Sequence, residues 1–199
     1  VSLHLSNTGI NTAQNNTFLD SSSNNFTITR NGNATQGSFS PYGNLWSNYF
    51  NGSTDYLNIA TTTGATGPGT GDFTIECWLY ITAGSNPVIF DDRSGGGNWS
   101  INAYANGTLN IYSSSSGQFG YGVVPINQWV HAAVARQSST IRFFINGALV
   151  GSTAYTTNLT GGTSIYIGHD YGGSTYTQGY ISNFRLIIGT AAVSYTHLR

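Results

Sequence analysis

The sequence predicts an all-β fold, an antiparallel jelly roll larger than a minimal seven-strand sandwich. Three observations carry that expectation. Short runs of alternating apolar and polar residues recur along the chain, broken by Gly, Asn, Ser and Thr. About a dozen such runs lie too close together for parallel crossovers, and no stretch carries a helical apolar stripe. Two Asn-Gly dipeptides join paired runs, and that dipeptide suits a tight hairpin because both turn residues take positive φ.

The runs follow in order. Val1–Leu5, Phe26–Arg30, Asn48–Phe50 and Tyr56–Ile59 read as short strands. The segment 61–71 (TTTGATGPGTG) reads as a loop, because strand patterning resumes directly after it. Phe73–Ile81 is the clearest strand. Phe73, Ile75, Cys77, Leu79 and Ile81 share one face, and Thr74, Glu76, Trp78 and Tyr80 the other. Val88–Asp91 follows. Trp99–Tyr104 and Thr108–Tyr112 flank Asn106-Gly107. Trp129–Arg136 is small or apolar on both faces, which suits a central strand. Thr140–Ile145 and Ala148–Ala154 flank Asn146-Gly147, and Ser164–Gly168 and Gly179–Ile188 complete the set.

Length and charge narrow the function classes. At 199 residues the chain suits one domain, residues 1–199, with a core that needs no disulfide staple. Only 7% of residues are charged: six Arg, no Lys, six Asp and one Glu, for a net charge of −1. Nucleic-acid binding needs a basic face, and attachment to anionic lipid needs clustered Lys and Arg, so neither partner is expected. No apolar run approaches the roughly 18 residues of a membrane span, so no membrane insertion is expected. The first residues lack the charged start and apolar stretch of a signal peptide. Cys77 is the only cysteine, which excludes an internal disulfide and a multi-cysteine zinc site.

Five segments then resemble one family in the right order. Residues 50–57 (FNGSTDYL) are similar to its "F-[ND]-G-x-x-D-Y-[LV]" segment, and 71–79 (GDFTIECWL) to its "G-D-F-T-I-E-x-W-[VL]" strand. Residues 128–131 (QWVH) resemble its "x-W-x-H" strand start, and 144–147 (FING) its "[YF]-[VI]-[DN]-G" hairpin. Ile167-Gly168 with residues 179–185 (GYISNFR) resembles its closing strand. The resemblance is to laminin-G-like domains of the concanavalin A-like lectin/glucanase superfamily. It implies two curved antiparallel sheets, and a lectin-like module displayed on an extracellular or virion surface. Residues 18–39 further resemble modules of marine phage structural and tail proteins. Ser194–Arg199 departs from the ending of those modules and reads as a non-family tail.

The chemistry-bearing residues sort into three sets. Glycoside hydrolysis needs two carboxylates roughly 5–9.5 Å apart. Glu76 is the only Glu and no second carboxylate shares its strand face, so no enzyme is expected. His131 reads as a core-edge histidine with one backbone partner, and Cys77 as a small buried hydrophobe. Calcium, which takes hard oxygen ligands from loops, is the candidate cofactor, as a structural ion. Asp20, Asp91, Asp92 and Asp170 are its candidate ligands, with the Asp20 loop favoured. The plainer role open to each is to cap a turn through Asx hydrogen bonds. Sugar binding needs flat apolar faces and adaptable polar groups. Trp99, Tyr104, Tyr112, Tyr121, Tyr171 and Tyr176 supply the rings, and Arg93 and Asp170 the charged contacts.

The expected function is therefore a non-enzymatic carbohydrate-binding or adhesion module. Its partners would be glycans or cell-surface polysaccharide, with self-association or neighbouring virion or filament proteins. The alternative is a structural subunit of a virion, tail fibre or extracellular filament, which a lysine-free, near-neutral surface would let pack closely.

Overall fold

The computed structural model describes residues 2–6, 16–43, 46–82, 86–103 and 107–192. The strands run in chain order as β1 (Ser2–Ser6), β2 (Leu19–Asp20), β3 (Ile28–Asn31), β4 (Thr35–Gly37), β5 (Ser47–Asn51) and β6 (Tyr56–Ala60). Next come β7 (Phe73–Ile81), β8 (Val88–Asp92), β9 (Trp99–Ala103), β10 (Leu109–Ser113) and β11 (Gly117–Tyr121). The last are β12 (Trp129–Gln137), β13 (Thr140–Ile145), β14 (Ala148–Ala154), β15 (Ser164–Ile167) and β16 (Gln178–Ile188).

Among the described residues these form two antiparallel sheets packed as a sandwich. The larger sheet runs β14-β13-β12-β7-β16-β1-β2, with β5 also paired to β16 and β4 to β5. The smaller runs β11-β10-β9-β8-β15-β6-β3. The period-2 reading of β7 holds: Phe73, Ile75, Cys77, Leu79 and Ile81 are all buried in the core. Across from them stand Trp99, Ile101, Leu109, Ile111, Leu57, Ile59, Ile165 and Ile167 of the smaller sheet. β12 is central, between β7 and β13. Its outward Ala133 and Ala135 are buried as well, beneath Phe144 and Leu149. The Asn146-Gly147 turn has φ of 49° and 79°, as a primed hairpin turn requires.

Three strands were not expected. β2 and β4 are too short to carry a pattern, and exist by pairing with β1 and β5. β11 lies in a glycine-rich stretch with no strand pattern, yet it pairs residue for residue with β10. A Cβ on Gly120 would stand 2.1 Å from the Leu109 carbonyl oxygen, so a bare backbone is what lets the strand close. The 61–71 loop is a loop, pinned by reciprocal backbone bonds of 2.9 Å between Gly69 and Leu159. Val1, Tyr104, Asn106 and Ser194–Arg199 lie outside the described residues.

Candidate functional site

The outward face of the smaller sheet gathers several of the expected site residues. Alternation along β9, β10 and β11 turns Ser100, Asn102, Tyr112 and Gln118 away from the core. At the end of β8 the chain enters a short 3₁₀ turn at Ser94–Gly96, and Arg93 folds back on Asp91. Its Nε donates to both Asp91 carboxylate oxygens at 3.0 and 2.9 Å, and its backbone N–H to Oδ1 at 3.0 Å. The hydrogen bonds to Asp91 raise the Arg93 guanidinium above its usual value, against the opposing pull of burial. The guanidinium carbon lies 5.2 Å from the centre of the Tyr112 ring, a cation–π contact. Asp170 Oδ2 is 3.7 Å from Arg93 Nη2.

Arg93, Tyr112, Asp170, Asn86, Asn102 and Gln118 line a cavity of about 200 Å³. Among the described residues, the buried Oδ1 atoms of Asn86 and Asn102 accept no hydrogen bond. Buried amide oxygens ordinarily find a donor, so this lining is two partners short. Beside the cavity lies a group of rings. Tyr176 stacks on His169 at 4.3 Å, Tyr56 is 4.8 Å from His169, and Tyr171 is 5.8 Å from Tyr166. Tyr171 is 44% exposed, and its backbone N–H donates to Asp91 Oδ2 at 3.1 Å. Asp91 thus ties the ring-bearing loop to Arg93.

One expected contact is corrected. Trp99 is fully buried between Phe73 and Phe90, at ring distances of 5.2 and 4.6 Å, so it offers no face to a ligand. Its position in β9 points inward, which period 2 requires once Ser100 and Asn102 face out. Tyr121 is half-buried, 5.4 Å from Phe143 and packed over Gly151. Tyr104 lies outside the described residues.

The carboxylates considered for calcium are committed elsewhere. Asp20 accepts from the backbone N–H groups of His4, Ser22 and Phe26 and from the Ser22 hydroxyl, at 2.8–3.1 Å. Four donors on two oxygens make it a loop cap. Asp91 is engaged by Arg93, and Asp170 Oδ1 accepts from Thr175 N–H at 2.9 Å. Asp92 accepts from Thr66 Oγ1 at 2.6 Å and Gly162 N–H at 2.8 Å. Among the described residues no three His, Cys, Asp or Glu side chains gather as a metal site.

Asp92 has a different consequence. Burial pushes its carboxyl up from 3.8 to about 7, against the lowering effect of its hydrogen bonds. The folded chain therefore holds this proton more tightly than the unfolded one. The stability it contributes is full below about pH 3.8 and is lost as pH rises through about 7. Asp92→Asn should flatten that fall. Its stability relative to the unaltered chain should be greater at pH 8 than at pH 5, by roughly 2–3 kcal/mol. Urea unfolding at both pH values checks this, and an equal effect at the two would refute it.

The outward face of the larger sheet carries a constellation that sequence reading missed. His131 of β12 pairs with Trp78 of β7, Glu76 of β7 with Arg185 of β16, and Arg185 with His4 of β1. His131 is therefore not a core-edge residue with a backbone partner. Its Nε2 lies 3.4 Å from Glu76 Oε2. Arg185 donates through Nε and Nη2 to Glu76 Oε1. Burial pushes the Glu76 carboxyl up, but the His131 hydrogen bond and the Arg185 charge outweigh it and hold it below its usual value. Farther along, His4 Nε2 meets Asn183 Oδ1 at 2.7 Å, and Nδ1 meets Ser21 Oγ at 2.8 Å. With Tyr42 and Trp78 these groups line a cavity of about 420 Å³. Alternation already turned Glu76 and Trp78 outward; strand order supplied their neighbours.

Residues 51–189 match the family model Laminin_G_3, described as the concanavalin A-like lectin/glucanases superfamily. No curated protein matches the chain. Among solved structures, it is similar to domain 4 of an extracellular arabinanase from Geobacillus stearothermophilus, in complex with arabinotriose. That match has 17% identity and a TM-score of 0.69, over 97% of this chain and 94% of the other. It is also similar to the ligand binding domain of botulinum neurotoxin serotype D in complex with N-acetylneuraminic acid. There the identity is 14% and the TM-score 0.70, over 95% of this chain and 47% of the other. The serotype G binding domain matches at 15% identity and TM-score 0.70, over 98% and 49%. The chain spans about half the length of the neurotoxin binding domains it matches. At these identities the likeness shows the fold.

Proposed function

The chain belongs to the concanavalin A-like lectin/glucanase superfamily, and from that premise we propose that it is a non-enzymatic glycan-binding module whose ligand lies on the outward face of the smaller sheet. One observation carries the proposal. Arg93, Tyr112 and Asp170 converge on a polar cavity that Asn86, Asn102 and Gln118 also line. The guanidinium, carboxylate and amide groups of that lining offer donors and acceptors to sugar hydroxyls, and the Tyr112 ring offers the flat apolar surface that a sugar ring covers. The arabinanase domain, matched over nearly its whole length, has a bound arabinose oligosaccharide. That supports saccharide as the ligand class.

The absence of catalysis belongs to the proposal. Hydrolysis would need one carboxyl to give a proton and another to attack or to activate water. Glu76 is locked by Arg185 and His131, and both Asp91 oxygens accept N–H donors. An extracellular or virion setting, with neighbouring copies or assembly proteins as further partners, is likewise proposed. Its support is the near-neutral, lysine-free composition.

The test is a glycan array followed by titration of the strongest binder. The folded chain should retain a defined glycan, and Tyr112→Ala should weaken it by about tenfold or more with an unchanged melting temperature. Retention of no glycan, or an affinity indifferent to Tyr112→Ala, would sink the proposal.

A further inference from the structure

We infer that the cavity on the outward face of the larger sheet is a second saccharide site, which makes the module bivalent, with one site on each face of the sandwich. The inference goes beyond the site proposed above: the second site stands without it, and the bivalency rests on it. Its size and composition argue for an uncharged, hydroxyl-rich ligand. The cavity of about 420 Å³ falls within the roughly 300–1,000 Å³ of small-molecule sites. Its fixed charges are one carboxylate and one guanidinium, and they neutralise each other. An anionic ligand would have to break that pair, whereas a neutral one can bond to its outer edge.

The remaining bonding capacity is of the kind that sugars use. Among the described residues, Arg185 Nη1, His131 Nδ1, Trp78 Nε1 and the Tyr42 hydroxyl make no protein hydrogen bond. They mix donors with acceptors, as a ligand whose hydroxyls do both requires. The Trp78 ring supplies the stacking surface. It is held upright by Tyr42 at 5.5 Å and His131 at 5.4 Å, so little side-chain freedom remains to be lost on binding. The Glu76–Arg185 and Glu76–His131 contacts fix the polar floor in the same way.

The test labels the chain with 5-fluorotryptophan and assigns the Trp78 resonance with Trp78→Phe. Arabinotriose, cellotriose and N-acetyllactosamine are titrated to millimolar concentration. At least one should shift the Trp78 signal saturably. Trp78→Ala and His131→Ala should each weaken that binding by about tenfold, while Tyr112→Ala leaves it within about twofold. A Trp78 signal that no probe moves overturns the second site. So does a shift that vanishes in Tyr112→Ala, since one site on the other face then accounts for everything. Trp78 shifts that survive Tyr112→Ala, together with a separate saturable step that this variant abolishes, would establish both sites; the same shifts with no such second step would establish this site and refute the first. Circular dichroism confirms that each variant is folded.

Discussion

Replacing Arg136 with Ala is expected to cost about 3–5 kcal/mol of folding stability, because it leaves three carbonyls without donors and empties a large buried volume. Arg136 occupies an inward position of β12, opposite Phe73, where the pattern calls for an apolar residue. It is completely buried. Its Nε, Nη1 and Nη2 donate to the carbonyls of Gly71, Thr157 and Gly69 at 2.8, 2.8 and 2.7 Å. The guanidinium also lies 5.3 Å from the Phe73 ring centre and 5.8 Å from that of Tyr155. One side chain thus ties the loop before β7 to the loop after β14. Burial pulls the guanidinium down from its usual value, partly offset by Tyr155 and Asp72. Truncation leaves three carbonyls without donors and opens a cavity, and both effects destabilise. Arg136→Met, which refills most of the volume, should recover less than half of the loss, because the carbonyls stay unpaired. Chemical denaturation at pH 7 measures all three proteins. A loss under about 1 kcal/mol for Arg136→Ala would refute this account.

Gly97→Ala should cost about 2–3 kcal/mol. A Cβ there would stand 1.7 Å from the Asp92 carbonyl oxygen and 2.8 Å from the backbone nitrogen of Gly162. Gly97 has φ −69°, so the obstacle is space rather than backbone conformation. The crowding is reciprocal. A Cβ on Gly162 would meet the Ser94 carbonyl at 2.0 Å, and one on Gly67 the Gly161 nitrogen at 2.2 Å. Bare backbone from three segments packs around the Asp92 carboxyl here. Gly96→Ala is the control. It has open space but φ +100°, so it should cost only about 1–2 kcal/mol of conformational strain. Because Arg93 directly follows Asp92, Gly97→Ala should also weaken glycan affinity where Gly96→Ala does not. Equal losses of stability in the two variants would show that packing at this junction is unimportant.

The residues themselves show how far the sequence could be read. Period 2 is a local property of extended backbone, so the alternation in 73–81 assigned each side chain of β7 to a face without knowledge of any neighbour. The Asn146-Gly147 turn was legible for the same reason, since positive φ is a demand on two adjacent residues. Arg93, Tyr112 and Asp170 were recognised as chemistry-bearing types, though not as a group. The misreadings share one cause. Trp99 looks like a sugar-stacking ring until its strand phase is known, and Tyr121 belongs to a strand whose glycines hide its pattern. His131 and Arg185 carry no local sign that they meet at Glu76.

By itself, then, the sequence determined the all-β class, the inward and outward faces of its patterned strands, and a surface with little charge, because backbone geometry and hydrophobic burial act over a few neighbouring residues. The tertiary structure decided which outward residues stand together. Strand order places His4 beside Arg185 and Asn183, a separation of 179 residues for the hydrogen-bonded pair, and loop closure brings Asp170 to Arg93. Such long-range pairing depends on how both whole sheets bury their inner faces at once, and no short window of residues contains that information.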